Sequence, residues 1–337
     1  MTDPGAPENR SSIHSQPSEE ANAQASNAAE ALPLSPPARL LLVFLYLLPK
    51  NGISRIAGWI ASLRLPGPLQ RAEIRLFARL AGVDLSEAKE PIEFHDSLQH
   101  FFTRALRKGA RPTDGDSRSI VSPCDGAWGE AGRIEAGTLL QVKDRRYAVA
   151  ELLGDRDLAA RYDGGTFATF YLSPRDYHRF HTPAAGRFRR LDYFPGSLWP
   201  VNAIGLRGID RLFARNERIC AYLDLGEDAD GDDRGHRDDR GDRGVVSTEI
   251  ALVAVGATMV GSIRLSFDEL TTNVGGRRPE HRDLGDRSAT FERGEQWGHF
   301  EFGSTIVMLT PPGLCQIEPR PVGETLKLGQ LIGRRCD

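Results

Sequence analysis

The pattern of apolar residues changes after residue 112, and this change limits the folds open to the chain more than any other feature. From Ile120 onward, short apolar runs are separated by Gly and Pro, which is typical of strands joined by turns. The predicted strands include residues 139–142, 166–172, 219–225, 245–255 and 300–309. The sequence therefore predicts an α+β fold, with N-terminal amphipathic helices followed by a mainly antiparallel β core.

The segment before the predicted strands is helical in pattern but too short in its apolar part to cross a bilayer. Residues 40–48 read LLLVFLYLL and end at Pro49, whereas a spanning helix needs roughly 20 residues. Residues 53–63 and 69–80 are predicted amphipathic helices, and residues 97–106 a further helix capped by Asp96 or Ser97. Residues 1–35 are rich in Ser, Ala, Pro, Glu and Asn, which predicts a disordered tail.

Charge is distributed unevenly along the chain. The net charge of -3 argues against a general nucleic-acid partner. Residues 39–79, however, carry seven basic residues and only one acidic residue, Glu73. Beside an apolar run, such a basic segment favours an anionic membrane surface. We therefore predict that residues 36–112 associate with a membrane, although helices that pack on the core are the alternative.

Residues 113–337 are predicted to form one catalytic domain with an insertion. Residues 227–243 hold eight acidic residues, four arginines and no large apolar side chain, so this segment is predicted to be a mobile, solvated insertion. The four cysteines show neither metal-ligand spacing nor the pattern of a disulfide framework. No metal site is predicted.

A polar tripeptide, Gly303-Ser304-Thr305, interrupts the last long apolar run. Glycine allows close approach of the backbone, so the hydroxyl of Ser304 could attack the preceding carbonyl; a β-bulge is the structural alternative. Asp125 lies in a predicted turn, and His178 and His181 follow an apolar strand. Each of these residues alone is commonly structural, and a serine nucleophile needs an adjacent base that a third group orients.

These three segments, in this order, resemble the phosphatidylserine decarboxylase proenzymes, a pyruvoyl-dependent family, in the form attached to bacterial inner membranes. The resemblance extends over roughly residues 39–332, with the exception of the insertion. Other matching segments are residues 47–50, 101–104, 194–198, 216–218 and 255–263.

The resemblance implies that the chain cuts itself between Gly303 and Ser304. Ser304 would attack the carbonyl of Gly303 to form an ester, and β-elimination would then leave a residue that hydrates, loses ammonia and becomes a pyruvoyl group. That group would form a Schiff base with the substrate and accept electrons during decarboxylation. By motif, Asp125 matches the orienting carboxylate, His181 the processing base and His178 the histidine associated with decarboxylation.

The function implied is conversion of phosphatidylserine to phosphatidylethanolamine by a peripheral protein on the cytoplasmic face of the inner membrane. The cut chains are expected to stay together as a heterodimer, with further dimerisation left open. One alternative is a serine hydrolase that uses Asp125, His181 and Ser304, although the Gly-x-Ser-x-Gly elbow is missing. Another alternative is a non-catalytic protein that binds a membrane surface.

Overall fold

The computed structural model describes residues 35–142, 145–226, 247–258, 262–301 and 303–336. Residues 1–34 of the predicted tail and the whole predicted insertion, residues 227–243, lie outside the described residues. Across the described ranges, helices come first and mainly antiparallel strands follow. The predicted α+β fold is thus confirmed.

Four helices precede the first strand within the described ranges, and their bounds follow the placement of proline, glycine and serine. The helices are α1 (Pro36–Leu47), α2 (Lys50–Ser62), α3 (Gly67–Ala81) and α4 (Leu98–Phe102). Pro49 separates α1 from α2. Gly82 ends α3 in a left-handed conformation with φ of 76°, which glycine adopts without steric cost.

The helix predicted over residues 97–106 is shorter than expected. Ser97 caps α4 as predicted, because its Oγ accepts a hydrogen bond from the backbone N–H of His100 at 3.1 Å. The helix ends at Phe102 because the next residues bond to another segment: the N–H of Lys89 donates to the carbonyl of Ala105, and the N–H of Arg107 to that of Glu87, both at 2.9 Å. The backbone groups of this segment are therefore committed outside a helix.

Strands dominate the rest of the described chain, with four short helices between them. The helices are α5 (Val149–Leu153), α6 (Arg156–Ala160), α7 (Ala203–Gly208) and α8 (Leu212–Arg215). The strands are β1 (Ser119–Val121), β2 (Gly126–Arg133), β3 (Thr138–Val142), β4 (Arg145–Ala148), β5 (Thr166–Tyr171), β6 (Arg179–His181), β7 (Gly186–Phe194), β8 (Arg218–Asp224), β9 (Glu249–Val255), β10 (Ile263–Leu265), β11 (Glu280–Asp283), β12 (Ala289–Phe291), β13 (Gln296–Phe300), β14 (Thr305–Thr310), β15 (Cys315–Ile317), β16 (Thr325–Leu326) and β17 (Leu331–Arg335).

Strand β14 lies inside the largest sheet, whose order is β11-β7-β8-β9-β14-β5-β2-β16, with β12 beside β7. All six residues of β14 are buried. Because side chains alternate across a sheet, Ile306 and Met308 join one apolar core and Val307 and Leu309 join the other. Burial on both faces explains the unbroken apolar run that the sequence shows here.

The single strand predicted over residues 300–309 is in fact two strands in two sheets. Strand β13 ends at Phe300 and pairs with β10 and β6, whereas β14 begins at Thr305 and pairs with β9 and β5. Gly303 and Ser304 therefore lie in a crossing between sheets rather than inside a strand. The other predicted strands are confirmed within about one residue, except that the strand predicted from residue 245 begins at Glu249.

Candidate active site

Two backbone hydrogen bonds hold the crossing that carries Gly303 and Ser304 against the segment between β5 and β6. The N–H of Phe300 donates to the carbonyl of His178, and the N–H of Leu172 donates to the carbonyl of Ser304, both at 2.9 Å. The crossing is thus fixed at each end. Its partner segment is the one that the sequence analysis singled out for its two histidines.

Gly303 lies so close to this segment that a side chain would be crowded. A Cβ atom at position 303 would lie 3.0 Å from the carbonyl oxygen of Leu172 and 3.4 Å from Nε2 of His178. Glycine is needed here for close approach of the backbone, not for a left-handed conformation. The same distances place an imidazole nitrogen beside the residue whose carbonyl is the predicted point of attack.

His178 is fully buried and is held as a neutral base. Its Nδ1 donates to the carbonyl of Asp176 at 2.8 Å, so the proton lies on Nδ1 and the lone pair on Nε2. Nε2 has no hydrogen-bond partner among the described residues. Burial, reinforced by the positive charge of Arg104, lowers the pKa of His178 to about 3. The ring of Phe102 packs against the imidazole at a centroid distance of 4.0 Å.

Ser304 is also fully buried, and its hydroxyl makes no hydrogen bond within the described part of the chain. A buried hydroxyl without a partner costs about 1–3 kcal/mol, so stability alone does not account for a serine at this position. The β-bulge with a satisfied Ser/Thr pair is not what the structure contains, because the hydroxyl of Thr305 is likewise buried without a partner there. Among the described residues, no competing acceptor thus holds the hydroxyl of Ser304.

His181 lies in β6, where burial also keeps its imidazole neutral. Its Nδ1 donates to the carbonyl of Gly294 at 2.8 Å, and its Nε2 lies 3.3 Å from the hydroxyl of Tyr177. Burial lowers the pKa of His181 to about 4, although the charge of nearby Asp125 acts in the opposite direction. Both histidines therefore present a basic Nε2 at neutral pH.

Asp125 is buried but is not hydrogen-bonded to His181 in the described structure. Its carboxylate accepts from Nε and Nη2 of Arg111 at 2.8 and 2.5 Å, and from the backbone N–H of Leu328 at 2.8 Å. The carbonyl of Gly294 takes the place next to His181 that the sequence analysis expected Asp125 to fill. The orienting role of Asp125 stays a prediction.

The structure thus brings Gly303, Ser304 and His178 together and places His181 on the same supporting segment. Sequence reasoning missed Arg111, the ion-pair partner of Asp125, and Arg104, whose charge acts on His178. Arg104 belongs to the segment at residues 101–104 that carried part of the family resemblance, so that match was the available signal. For Arg111 the sequence offered none, because ion pairing is decided in three dimensions.

A second candidate site is an apolar surface on the N-terminal helices. Most of the strongly exposed large apolar side chains among the described residues lie between residues 40 and 94, and these make up what we call the apolar surface. They are Leu40, Val43, Phe44, Tyr46, Ile56, Trp59, Ile60, Leu63, Leu69, Leu76, Leu80, Leu85 and Phe94. A concentration of exposed apolar side chains in one part of the chain is typical of contact with a membrane or a protein. Within the described residues, none of the helices is both long and apolar enough to span a membrane.

Chemically, the site offers a buried hydroxyl, a glycine carbonyl and two neutral imidazoles. In the described part of the chain, no cluster of three or more His, Cys, Asp or Glu residues could bind a metal ion. Such a set of groups suits reactions of the backbone itself, since the hydroxyl and the carbonyl belong to consecutive residues.

Comparison with known proteins identifies the family. The sequence model of the phosphatidylserine decarboxylase family matches residues 98–334, and the chain belongs to this family. Three similar relatives are named phosphatidylserine decarboxylase proenzyme. Those of Anaeromyxobacter sp. (strain K) and Acidovorax ebreus are each 40% identical over 88% of this chain and 98% of their own length. That of Myxococcus xanthus is 37% identical over 85% of this chain and 95% of its own length.

Family membership confirms the predicted enzyme class: a decarboxylase of phosphatidylserine that is made as a proenzyme. It also decides among the three functions weighed from the sequence. Neither a serine hydrolase nor a non-catalytic membrane-binding protein is supported by these relatives.

Proposed function

We propose that the chain decarboxylates phosphatidylserine through a pyruvoyl group formed from its own Ser304. The observation that supports this proposal best is the buried, unpartnered hydroxyl of Ser304 directly after Gly303, which is itself packed against Nε2 of His178. The described residues suit the group, because the serine that would be converted is enclosed and no other protein group competes for its oxygen.

Self-cleavage begins when a base takes the proton of the Ser304 hydroxyl. We assign this base to Nε2 of His181, following the family resemblance. The oxygen attacks the carbonyl carbon of Gly303, and the amide nitrogen of Ser304 leaves with a proton, which gives an ester. Loss of the Cα proton of residue 304 then expels the carboxylate of Gly303, and addition of one water with loss of ammonia completes the conversion.

In the second reaction, the pyruvoyl group supplies an electron-withdrawing carbonyl that accepts the electron pair left behind by carbon dioxide. We assign to the neutral Nε2 of His178 the removal of a proton from the substrate ammonium, which must be deprotonated before it can attack a carbonyl. The same nitrogen can later return that proton to the carbon that loses carbon dioxide. Phe102 and the buried surroundings exclude water from this proton transfer.

The proposed function assigns a role to each of the two regions of the chain. Residues 36–112 form the membrane-associating region, and residues 113–337 form the catalytic domain, which is cut between residues 303 and 304. We propose that the enzyme lies on the cytoplasmic face of the inner membrane, attached without crossing it. The exposed apolar side chains and the basic residues between positions 39 and 79 support attachment to an anionic surface that contains the substrate.

Intact-mass analysis under denaturing conditions tests the proposal. The purified protein should give a chain of residues 1–303 and a chain of 34 residues whose first residue is blocked as a pyruvoyl group. Ser304→Ala should remain one chain and release no carbon dioxide, because alanine has no oxygen for the attack. Ser62→Ala is the matched control, since Ser62 is exposed and bonds only within its own helix.

A single full-length species that still decarboxylates phosphatidylserine would refute the proposal. Cleavage of the Ser304→Ala protein would also refute the proposal, because the cut would then come from a separate protease. A cut chain that begins with unmodified serine would instead indicate hydrolysis of the ester without formation of the pyruvoyl group.

A further inference from the structure

Arg104 is a buried guanidinium with donors that nothing in the described structure uses. The residue is 4% exposed, and its Nη2 donates to the carbonyls of Arg175 and Asp176 at 3.2 and 3.4 Å. Its Nε and Nη1 are buried and have no partner among the described residues. The guanidinium also lies 5.3 Å from the centre of the Phe101 ring, but burial of a charged group whose donors are only partly satisfied still costs free energy. Such an arrangement is typical of a binding site for an anionic ligand.

The guanidinium lies near His178, on the Nδ1 side of its imidazole. The carbonyl of Asp176 accepts from Nη2 of Arg104 and also from Nδ1 of His178, the latter at 2.8 Å. Nε2 on the opposite side of that imidazole faces Gly303. Arg104 and the proposed proton carrier therefore share one hydrogen-bond acceptor, within the site that the substrate must enter.

The carboxylates around Arg104 are engaged by other groups. Glu87 and Asp125 each accept hydrogen bonds from Arg111. Asp176 accepts from the backbone N–H and the hydroxyl of Ser173, both at 2.7 Å. Burial lowers the pKa of Arg104, whereas all three carboxylates act in the opposite direction at a distance, and none pairs with it in the described chain. The guanidinium of Arg104 can thus bind an anionic ligand without first breaking an ion pair with one of these carboxylates.

We infer that Arg104 binds the phosphodiester group of phosphatidylserine. This inference rests on the proposed function. Donors on two nitrogens suit an anion that presents more than one oxygen, as a phosphodiester does. The serine carboxylate is the poorer candidate, because it loses its charge on becoming carbon dioxide. A cation paired with it would stabilise the substrate more than the transition state and would slow the reaction. The phosphodiester keeps its charge throughout.

The test compares Arg104→Gln, Arg104→Lys and the control Arg175→Gln in their processing and kinetics. Arg175 is on the same segment, but its side chain is 58% exposed. With phosphatidylserine in mixed micelles, Arg104→Gln should self-cleave and show a KM about tenfold to hundredfold higher, with kcat within about threefold of the unaltered enzyme. Arg104→Lys should recover part of the loss, and Arg175→Gln should match the unaltered enzyme.

The source of the negative charge is identified with soluble inhibitors. Glycerophosphoethanolamine carries the phosphodiester without a carboxylate, and its inhibition constant should rise in Arg104→Gln by the same factor as KM. Inhibition by free serine should be unchanged. The reverse pattern, with only serine affected, would assign Arg104 to the carboxylate and would overturn the inference.

Three other results would also overturn it. One is an unchanged KM in Arg104→Gln. A second is easier separation of the two chains in Arg104→Gln without an effect on inhibition by glycerophosphoethanolamine, which would mean that Arg104 pairs with the carboxylate released at Gly303. A third is the failure of both Arg104 variants to self-cleave, which would assign the residue to processing. If the proposed function itself were wrong, the unaltered chain would stay uncut and inactive, so the two failures are distinguishable.

Discussion

Two neutral imidazoles on one segment, His178 and His181, make different contacts, and this difference predicts separate roles. Nε2 of His178 faces Gly303, whereas Nε2 of His181 lies 3.3 Å from the hydroxyl of Tyr177. Since burial lowers the pKa of both, each is a base rather than an acid at neutral pH. Their assignment to the two reactions can therefore be tested one residue at a time.

His181→Ala is expected to slow self-cleavage by about a hundredfold or more, because Ser304 would lack its base. Decarboxylation should fall with it, since less pyruvoyl group would form. His178→Ala should still cleave, yet its cut form should have a kcat lower by about a hundredfold or more. Gel analysis of cleavage and a carbon dioxide release assay measure both effects.

His100→Ala serves as the control for these variants, because His100 is a partly exposed residue that interacts with Asp96. It should cleave and turn over like the unaltered chain. Normal self-cleavage of His181→Ala, together with an uncut His178→Ala, would reverse the assignment. That result would make His178, the imidazole packed against Gly303, the base for Ser304.

Helix α3 has one buried face and one exposed apolar face. Gln70, Ile74 and Ala78 face the protein and are buried. Leu69, Leu76 and Leu80 lie on the other side of the helix and are between 55% and 78% exposed. Apolar side chains at helical spacing usually indicate the buried face, yet here the leucines point away from the protein. The two faces fit a helix that packs on the domain and inserts its leucines into a membrane.

Replacing Leu69, Leu76 and Leu80 together with Ser should greatly reduce flotation with anionic liposomes. Each leucine that leaves water contributes about 1.5–3 kcal/mol, so the loss should exceed a hundredfold in partition. The free energy of unfolding should change little, because these side chains are exposed in the folded protein. Val274→Ser, a substitution of an exposed apolar residue outside this surface, is the control. Equal flotation of the triple variant and the control would contradict membrane insertion by α3.

On the scale of the whole molecule, the proposed cut falls inside the chain but not between domains. The 34-residue product would contain β14 to β17. Strand β14 pairs with β9 on one side and β5 on the other, β16 pairs with β2, and β17 pairs with β1. The smaller chain therefore supplies strands to two different sheets of the larger one.

We expect the two chains to stay together after cleavage and to separate only when the protein unfolds. Removal of β14 would expose side chains that both apolar cores bury, which costs a free energy comparable with that of unfolding a typical domain. Size-exclusion chromatography in native buffer, followed by denaturing gels, should find both chains in one peak. Release of the small chain in native buffer would be inconsistent with this arrangement of strands.

Residue types and their spacing in the sequence predicted much of the secondary structure and the candidate site residues. Runs separated by Gly and Pro predicted the strands, and helical spacing predicted α2 and α3, because these signals come from neighbouring residues. Gly303, Ser304, His178 and His181 were predicted as site residues for the same reason, as residue types that carry chemistry in short motifs. The extent of α4 was missed because backbone pairing with residues 87–89 ends that helix.

Only the tertiary structure decided the contacts between distant segments. It divided residues 300–309 between two sheets, placed Gly303 against His178, paired Asp125 with Arg111 and left two nitrogens of Arg104 without partners in the described chain. Which strands and charged groups pair depends on which surfaces are packed together in the folded protein. A buried charged group can pair only with groups that the fold places close to it. For this reason the sequence could predict candidate site residues, whereas the identity of their neighbours depended on the fold.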